Sequence, residues 1–259
     1  MGDGAAGGVK TCIAELHVHT VLSPCAEIEM IPPLIVQEAL EQGIDLIAIT
    51  DHNATANVAA VMKAAAGTEL TVLPGMEVQT SEEVHMLCLF DTLDQARAWQ
   101  AQVDELLPSI ENNADLFGDQ LVVDEAGDFV RREPRLLLTS AAITLKEAVE
   151  RVGRLGGLSI PAHINRKSFS LIENLGLVPE DVPFDALELS RHISVEDAHR
   201  QIPQTRKYPL IQSGDVHRLD EYLGKNLFRL EAPTIDEIKR AFANEGGRSL
   251  KLRSTRRAE

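Results

Sequence analysis

Cysteine, aromatic side chains and long apolar runs are all scarce in this chain, and each shortage removes a class of explanation. The three cysteines, Cys12, Cys25 and Cys88, form no Cys-x-x-Cys motif and no even-numbered framework. No disulfide scaffold is expected, and a reducing, cytoplasmic setting is. Aromatic residues make up 4% of the chain, so aliphatic packing must dominate the core. No apolar run approaches the roughly 20 residues needed to cross a bilayer, which excludes a membrane-spanning helix. Residues Met1 to Lys10 have neither a basic nor an apolar region of the kind a secretory signal needs. Gly8-Val9-Lys10-Thr11 ends like a nucleotide-binding P-loop, but Val9 stands where glycine is required and no strand precedes it.

Positive charge is also in deficit. Lysine and arginine number 25 against 40 acidic residues, for a net charge of −15. That balance disfavours a long, charge-driven nucleic-acid track. The basic residues Arg248, Lys251, Arg253, Arg256 and Arg257 are grouped at the end, where a solvated basic tail over 246–259 is expected.

What the chain does contain is alternation. Short aliphatic runs at Cys12–Val18, Asp45–Thr50, Leu70–Leu73, Val84–Phe90, Gly157–Ile160, Ala186–Leu189 and Leu210–Gln212 read as strands. Helix-like spacing fills Pro33–Gln42, Asn57–Ala66, Leu93–Leu107, Thr144–Leu155, Val195–Gln201 and Thr234–Asn244. Thr144 with Glu147 and Thr234 with Glu237 have capping-box spacing, and Gly43 stands where the first helix should stop. Strand–helix alternation predicts an α/β fold with a parallel sheet or barrel. Residues 112–135 break the rhythm and read as an acidic insertion with a hairpin around Gln120–Val130.

Six of the eight histidines fall at strand edges, five of them at or just past the C-terminal end. His17 and His19 close the first run and, two apart on a strand, face the same side, with Leu16 and Val18 turned to the other layer. The second run ends in Asp51-His52, the third leads to Glu77, His85 opens the fourth, His163 follows the fifth and Asp215-Val216-His217 follows the seventh. One His-x-His on a strand is more often an accident of composition than a site. The coincidence of so many ligand-type residues at strand ends is not, because barrel folds build active sites where strand C-termini converge. His192 and His199 are read as bystanders.

Taken in order, His17-Val18-His19, Thr50-Asp51-His52-Asn53, Gly75-Met76-Glu77, His85, Pro161-Ala162-His163 and Asp215-Val216-His217 resemble the PHP (polymerase and histidinol phosphatase) superfamily. The resemblance implies a distorted (β/α)7 barrel over about 11–245, with two or three divalent ions (manganese, zinc, iron or magnesium) at the C-terminal ends of the strands. It implies His17, His19, His52, Glu77, His85, His163, Asp215 and His217 as ligands, with Glu77 bridging. One position departs. Where the family has an aspartate after its second histidine, this chain reads Ser23-Pro24-Cys25-Ala26-Glu27. Proline cannot ligate, so Glu27 is favoured as the replacement, with the Cys25 thiolate as a softer alternative.

The chemistry that such a site implies is phosphoester hydrolysis by an ion-activated water. The substrate is expected to be a small phosphorylated metabolite, a nucleotide or an oligonucleotide end. Asp51 is expected to hold an imidazole through its second nitrogen, and His217 or His192 to protonate the leaving group. Arg166, Arg191 and Arg218 are candidate phosphate contacts, since a guanidinium fork matches two phosphate oxygens. Two other readings compete: a non-catalytic metal-stabilised binding module, and an amidohydrolase-like barrel.

Overall fold

The computed structural model describes residues 8–253, so Arg256 and Arg257 of the expected tail lie outside it. In chain order the elements begin β1 (Lys10–Val18), α1 (Pro32–Glu41), β2 (Leu46–Ile49), α2 (Val58–Ala64), β3 (Thr71–Gln79), β4 (His85–Leu89) and α3 (Leu93–Leu106). The insertion follows as α4 (Ala114–Phe117), β5 (Leu121–Val123) and β6 (Phe129–Arg132). The second half is α5 (Leu145–Arg154), β7 (Leu158–Pro161), α6 (Leu171–Leu175), β8 (Leu187–Leu189), α7 (Val195–Gln201), β9 (Leu210–Gln212), β10 (Asn226–Leu230), α8 (Ile235–Phe242) and β11 (Ser249–Leu252).

One curled sheet runs in the order β11-β10-β1-β2-β3-β4-β7, and β8 pairs with β9 beside it. Hydrogen bonds outside the regular ladders close the ring. Asp185 N donates to Ser159 O and Ile164 N to Glu188 O, joining β7 to β8. Val216 N donates to His17 O at 3.0 Å and His19 N to Val216 O at 2.9 Å, joining the segment after β9 to the top of β1. Strand β10 takes the lower half of the same β1 edge, antiparallel. Buried Asn226 fills the gap where the edge is shared, its amide reaching Ala14 O and Gln212 O. The result is a distorted seven-stranded α/β barrel, the form that the family resemblance implied and one of the two that strand–helix alternation allowed.

One departure from an all-parallel barrel within the ring has a clear cause. The link from Thr80 to Val84 is a tight turn, closed by Thr80 N to Val84 O at 3.0 Å. A link that short cannot make a parallel crossover, so β4 runs antiparallel to β3, and β7 antiparallel to β4. Strand β3 also continues past Leu73 to Gln79, although Pro74-Gly75 reads as a break. Gly75 is tolerated because a Cβ there would meet Leu89 Cδ2 at 2.8 Å and Ile49 O at 3.0 Å; the bare backbone lets the neighbouring strands approach.

A buried cluster drawing on six strands of the ring and on Ala186 just before β8 fills the barrel, including Leu16, Ala48, Leu73, Leu87, Ile160 and Ile211. A second, with Val18, Ile47, Ile49 and Val72, packs under α1 and α2. Leu16 and Val18 therefore belong to different layers, contrary to strict alternation. The β1–β2 register breaks between Glu15 and Val18, and a bulge of this kind re-aims the side chains around it.

The capping box at Thr144 and Glu147 forms as read, and a second, unread one joins Thr92 to Gln95. At Thr234 only the hydroxyl caps the helix, because the Glu237 carboxylate is taken by Arg248. That contact accounts for a correction: 249–252 is not tail but strand β11, paired with β10, with Arg248 held by Glu231 and Glu237.

Candidate metal centre

Each ligand-type residue sits at one rim of the barrel because of the strand it ends or begins. His17 and His19 finish β1, His52 follows β2, Glu77 lies near the end of β3, His163 follows β7, and Asp215 and His217 follow β9. His85 is the first residue of β4, and because that strand is antiparallel its entrance lies at the rim where its neighbours end. Three of these turns are conformationally demanding: Asn53, His163 and Asp215 all have positive φ (49°, 30° and 52°). Non-glycine residues held there mark a site that the surrounding structure over-determines.

Glu77 is at the centre, wholly buried. Its Oε1 lies 3.0 Å from His85 Nδ1, 3.2 Å from His163 Nε2 and 3.3 Å from His17 Nε2. Its Oε2 lies 2.9 Å from His52 Nδ1 and 3.5 Å from His19 Nε2. Asp215 Oδ1 approaches His17 Nε2 at 3.3 Å and His19 Nε2 at 3.4 Å. Burial alone pushes the Glu77 carboxyl up, but His85, His17 and His52 around it hold it well below the usual carboxylate range. Burial likewise disfavours charge on His17, yet Glu188, Glu77 and Asp215 raise its pKa well above the ordinary value.

The tautomers follow from the outer partners. His17 Nδ1 donates to Glu188 Oε2 at 2.9 Å. Ser23 Oγ gives its proton to Asp51 Oδ1, so it must accept from His19 Nδ1 at 2.9 Å. Both Nδ1 atoms are then committed as donors, and the two Nε2 lone pairs meet at 3.0 Å. That contact needs a proton or a cation between them. Glu77 Oε2 and Asp215 Oδ1 are also buried there with no hydrogen-bond partner. One proton cannot satisfy both nitrogens and both oxygens, whereas cations can. Among the described residues three ligand groups have atoms mutually within 4.8 Å: His17, His19 and Glu77; His19, His52 and His217; and His52, Glu77 and His85. The residues present thus fit a divalent-metal centre.

The supporting shell differs from the sequence reading in two places. Asp51 does not reach the His52 ring through its carboxylate bonds; it accepts from Thr20 N, Thr20 Oγ1 and Ser23 Oγ and so supports His19 through Ser23. The direct carboxylate partner of an imidazole is Glu188 on β8, which also accepts from His163 N at 2.9 Å. It went unread, although an acid inside Leu187-Glu188-Leu189 is itself a signal, since an acid amid a buried apolar run needs a partner.

Glu15, also fully buried, accepts from Gly214 N at 2.6 Å, Leu223 N at 2.8 Å and Gly224 N at 3.0 Å. Burial raises its pKa to about 7 against the pull of these amides. It fastens the loop that carries Asp215 and His217. A Glu15→Gln substitution turns an amide N–H₂ toward one of those donors, so stability to urea is expected to fall by about 1–3 kcal/mol. An unchanged urea midpoint would show that the loop is held without it.

Above the cluster opens a cleft of about 810 Å³, lined by Cys25, Phe117, Phe169, His192 and the three arginines, among others. Phe169 stacks on His85 at 4.9 Å. Arg166 pairs with Asp215, Arg191 with Glu221 and the Gly214 carbonyl, and Arg218 with Glu27. Glu27 is half-exposed, takes Arg218 at 2.8 Å and belongs to none of the ligand groups. Cys25, exposed in the same turn, lines the cleft with His52 and His217; desolvation raises its pKa, but the two imidazoles bring it down to about 6. His192 is exposed at the cleft, and His199 lies apart, bonded to Thr205.

The PHP domain family profile matches residues 15–241, and the chain belongs to that family. No curated protein matches it. Among solved structures it is similar to the lesion-specific endonuclease PfuEndoQ from Pyrococcus furiosus, at 22% identity and TM-score 0.65. That match covers 93% of this chain but 58% of the endonuclease, so the chain spans well under two thirds of that protein. An amidohydrolase from Chromobacterium violaceum with bound sulfate matches at 21% identity and TM-score 0.55, covering 82% of this chain and 90% of that one. A protein from Bifidobacterium adolescentis described as a metal-dependent phosphoesterase matches at 18% identity and TM-score 0.54, covering 79% and 87%.

Proposed function

We propose that this protein is a metal-dependent hydrolase of phosphate esters. The observation that carries the reading is the meeting of two imidazole lone pairs with two partnerless buried carboxylate oxygens, Glu77 Oε2 and Asp215 Oδ1, beneath a cleft edged with arginine. His17, His19, His52, Glu77, His85, His163, Asp215 and His217 would hold two or three divalent ions. Bound there, such ions supply Lewis-acid stabilisation of phosphoryl charge and acidify a water toward neutrality.

The chain's own groups divide the remaining work. Glu77 lies against five imidazoles through its two oxygens and would be the ligand shared between ions. Glu188 and the Asp51–Ser23 pair fix His17 and His19 with Nε2 toward the centre. Arg166 and Arg191 offer guanidinium groups to phosphoryl oxygens, each exchanging a carboxylate for the substrate. Arg218, already committed to Glu27, contributes field rather than contact. His217 lies in a ligand trio, so His192 is the free histidine able to give a proton to the leaving oxygen. The acidic surface supports a small substrate: a phosphorylated metabolite, a nucleotide or an oligonucleotide end. Among the described residues the cleft lining has no lysine, which weighs against a carbamylated-lysine amidohydrolase site.

The test is hydrolysis of p-nitrophenyl phosphate and its bis-ester with manganese, zinc or magnesium, alongside metal analysis. Metal-dependent release of nitrophenol is expected. Arg166→Ala is expected to lose about 1.5–3 kcal/mol of transition-state binding, roughly 10- to 100-fold in kcat/KM. Full metal occupancy with no turnover of any phosphoester would instead favour a binding module.

A further inference from the structure

The Ser23-Pro24-Cys25-Ala26-Glu27 turn, where a hard carboxylate was expected, is held at both ends by the site. Ala26 N donates to Ser23 O and Glu27 N to His217 O, each at 2.9 Å. Ser23 is the residue that accepts from His19 Nδ1. From outside, Gly118 of the insertion packs so closely that a Cβ there would lie 2.7 Å from Pro24 O. The thiol at the middle of this braced turn lines the cleft together with His52 and His217, and Ser23 Oγ, two residues before it, accepts from His52 N at 3.2 Å. Glu27, the other contender, is turned to Arg218.

A second observation points to a ligand at the same spot. The nitrogens of His19, His52 and His217 lie within 4.8 Å of one another. Glu77 Oε2, wholly buried and without a hydrogen-bond partner, is aimed at two of them, 2.9 Å from His52 Nδ1 and 3.5 Å from His19 Nε2. His19 Nε2 is already turned to His17 Nε2, so the imidazoles of His52 and His217 and a thiol make a nitrogen–sulfur donor set on one side of the centre. The groups on the other side, His17, His19, Glu77, His85, His163 and Asp215, offer only nitrogen and oxygen.

We propose that the Cys25 thiolate joins His52 and His217 as ligands of one cation, making that position of the centre selective for a soft divalent ion, zinc above all. Thiolate ligation favours zinc over magnesium or manganese, and two nitrogens with one sulfur leave the fourth place that catalytic zinc sites keep open. Binding replaces the thiol proton with the cation and releases that proton to solvent. The inference rests on the metal-centre reading above and adds the asymmetry between its two sides.

The experiment is replacement of the native ions by cobalt(II) in the full chain, read by absorption and by metal analysis. Wild type is expected to show a thiolate-to-cobalt charge-transfer band in the near ultraviolet. Cys25→Ser and Cys25→Asp are expected to lose it, while Cys12→Ser and Cys88→Ser keep it. Cys25→Asp, which restores a hard oxygen ligand, should retain the ion while zinc affinity falls at least ~10-fold relative to manganese, the scale on which even outer partners act. Full cobalt occupancy with no band dependent on Cys25 overturns this proposal alone. Failure of wild type to bind cobalt or zinc at all overturns the metal-centre reading with it.

Discussion

Exchanging Glu77 for glutamine is expected to lower metal-dependent phosphoester turnover by at least ~10³-fold, about 4 kcal/mol, and to reduce bound metal by one ion or more. Glutamine keeps the size and one oxygen but loses the charge. In the wild type both oxygens lie against imidazole nitrogens, Oε1 by His17, His85 and His163 and Oε2 by His19 and His52. An amide N–H₂ facing imidazole nitrogens cannot bridge cations, and the negative charge that offsets them is gone. Steady-state kinetics and metal analysis on the same preparation check this. A variant with wild-type activity and full metal content would remove Glu77 from the bridging role.

Chelation is expected to have the second large effect, and on stability rather than rate. Ions that bind only the folded chain stabilise it by about 2.7 kcal/mol per site at 100 times the dissociation constant. At roughly 2–4 °C per kcal/mol for a domain of this size, removing one ion should lower Tm by about 5–10 °C. The direction is reinforced by the acceptors left without donors: Glu77 Oε2, Asp215 Oδ1 and Glu188 Oε1 are buried with no partner among protein groups. Reloading also has a proton signature. Burial disfavours a charged His52, but Glu77 and Cys25 beside it push its pKa up to about 10. At pH 7 an incoming ion must therefore displace a proton, so affinity should rise with pH and loading should acidify a weak buffer. Calorimetry before and after chelation, with proton release measured on reloading, checks both. A Tm indifferent to chelator would mean that no structural ion is held.

Much of the centre is legible in local sequence. His17 and His19 announce themselves by the two-residue repeat of a strand, and His52, His163 and His217 by their place just past apolar runs, because a strand end is a short-range property. The barrel class follows from the same alternation. His85 was legible as a ligand but not as a neighbour, since its place at the rim depends on β4 running antiparallel. The tight Thr80–Val84 turn imposes that direction.

The outer partners were not legible in the same way. Glu188 lies 171 positions from His17, and no spacing rule links them; they meet only when β8 and β9 close the ring against β1. Asp51 was tied by adjacency to His52, yet the fold gives its carboxylate to Thr20 and Ser23. The same holds for β10, which falls where no strand was expected, and β11, in the expected tail: β1 offers an edge to β10, and β10 offers one to β11.

The choice at the first motif shows the division most clearly. Residue types alone favoured Glu27, because a hard-metal site wants oxygen. Tertiary packing supplies the ground for proposing Cys25 instead: the turn is anchored to His217 and braced by Gly118, and Glu27 pairs with Arg218. Ligand chemistry and strand-end position are properties of a few adjacent residues, so the chain alone carries them. Which side chain enters the centre depends on contacts between segments far apart in sequence, and only the folded barrel brings those together.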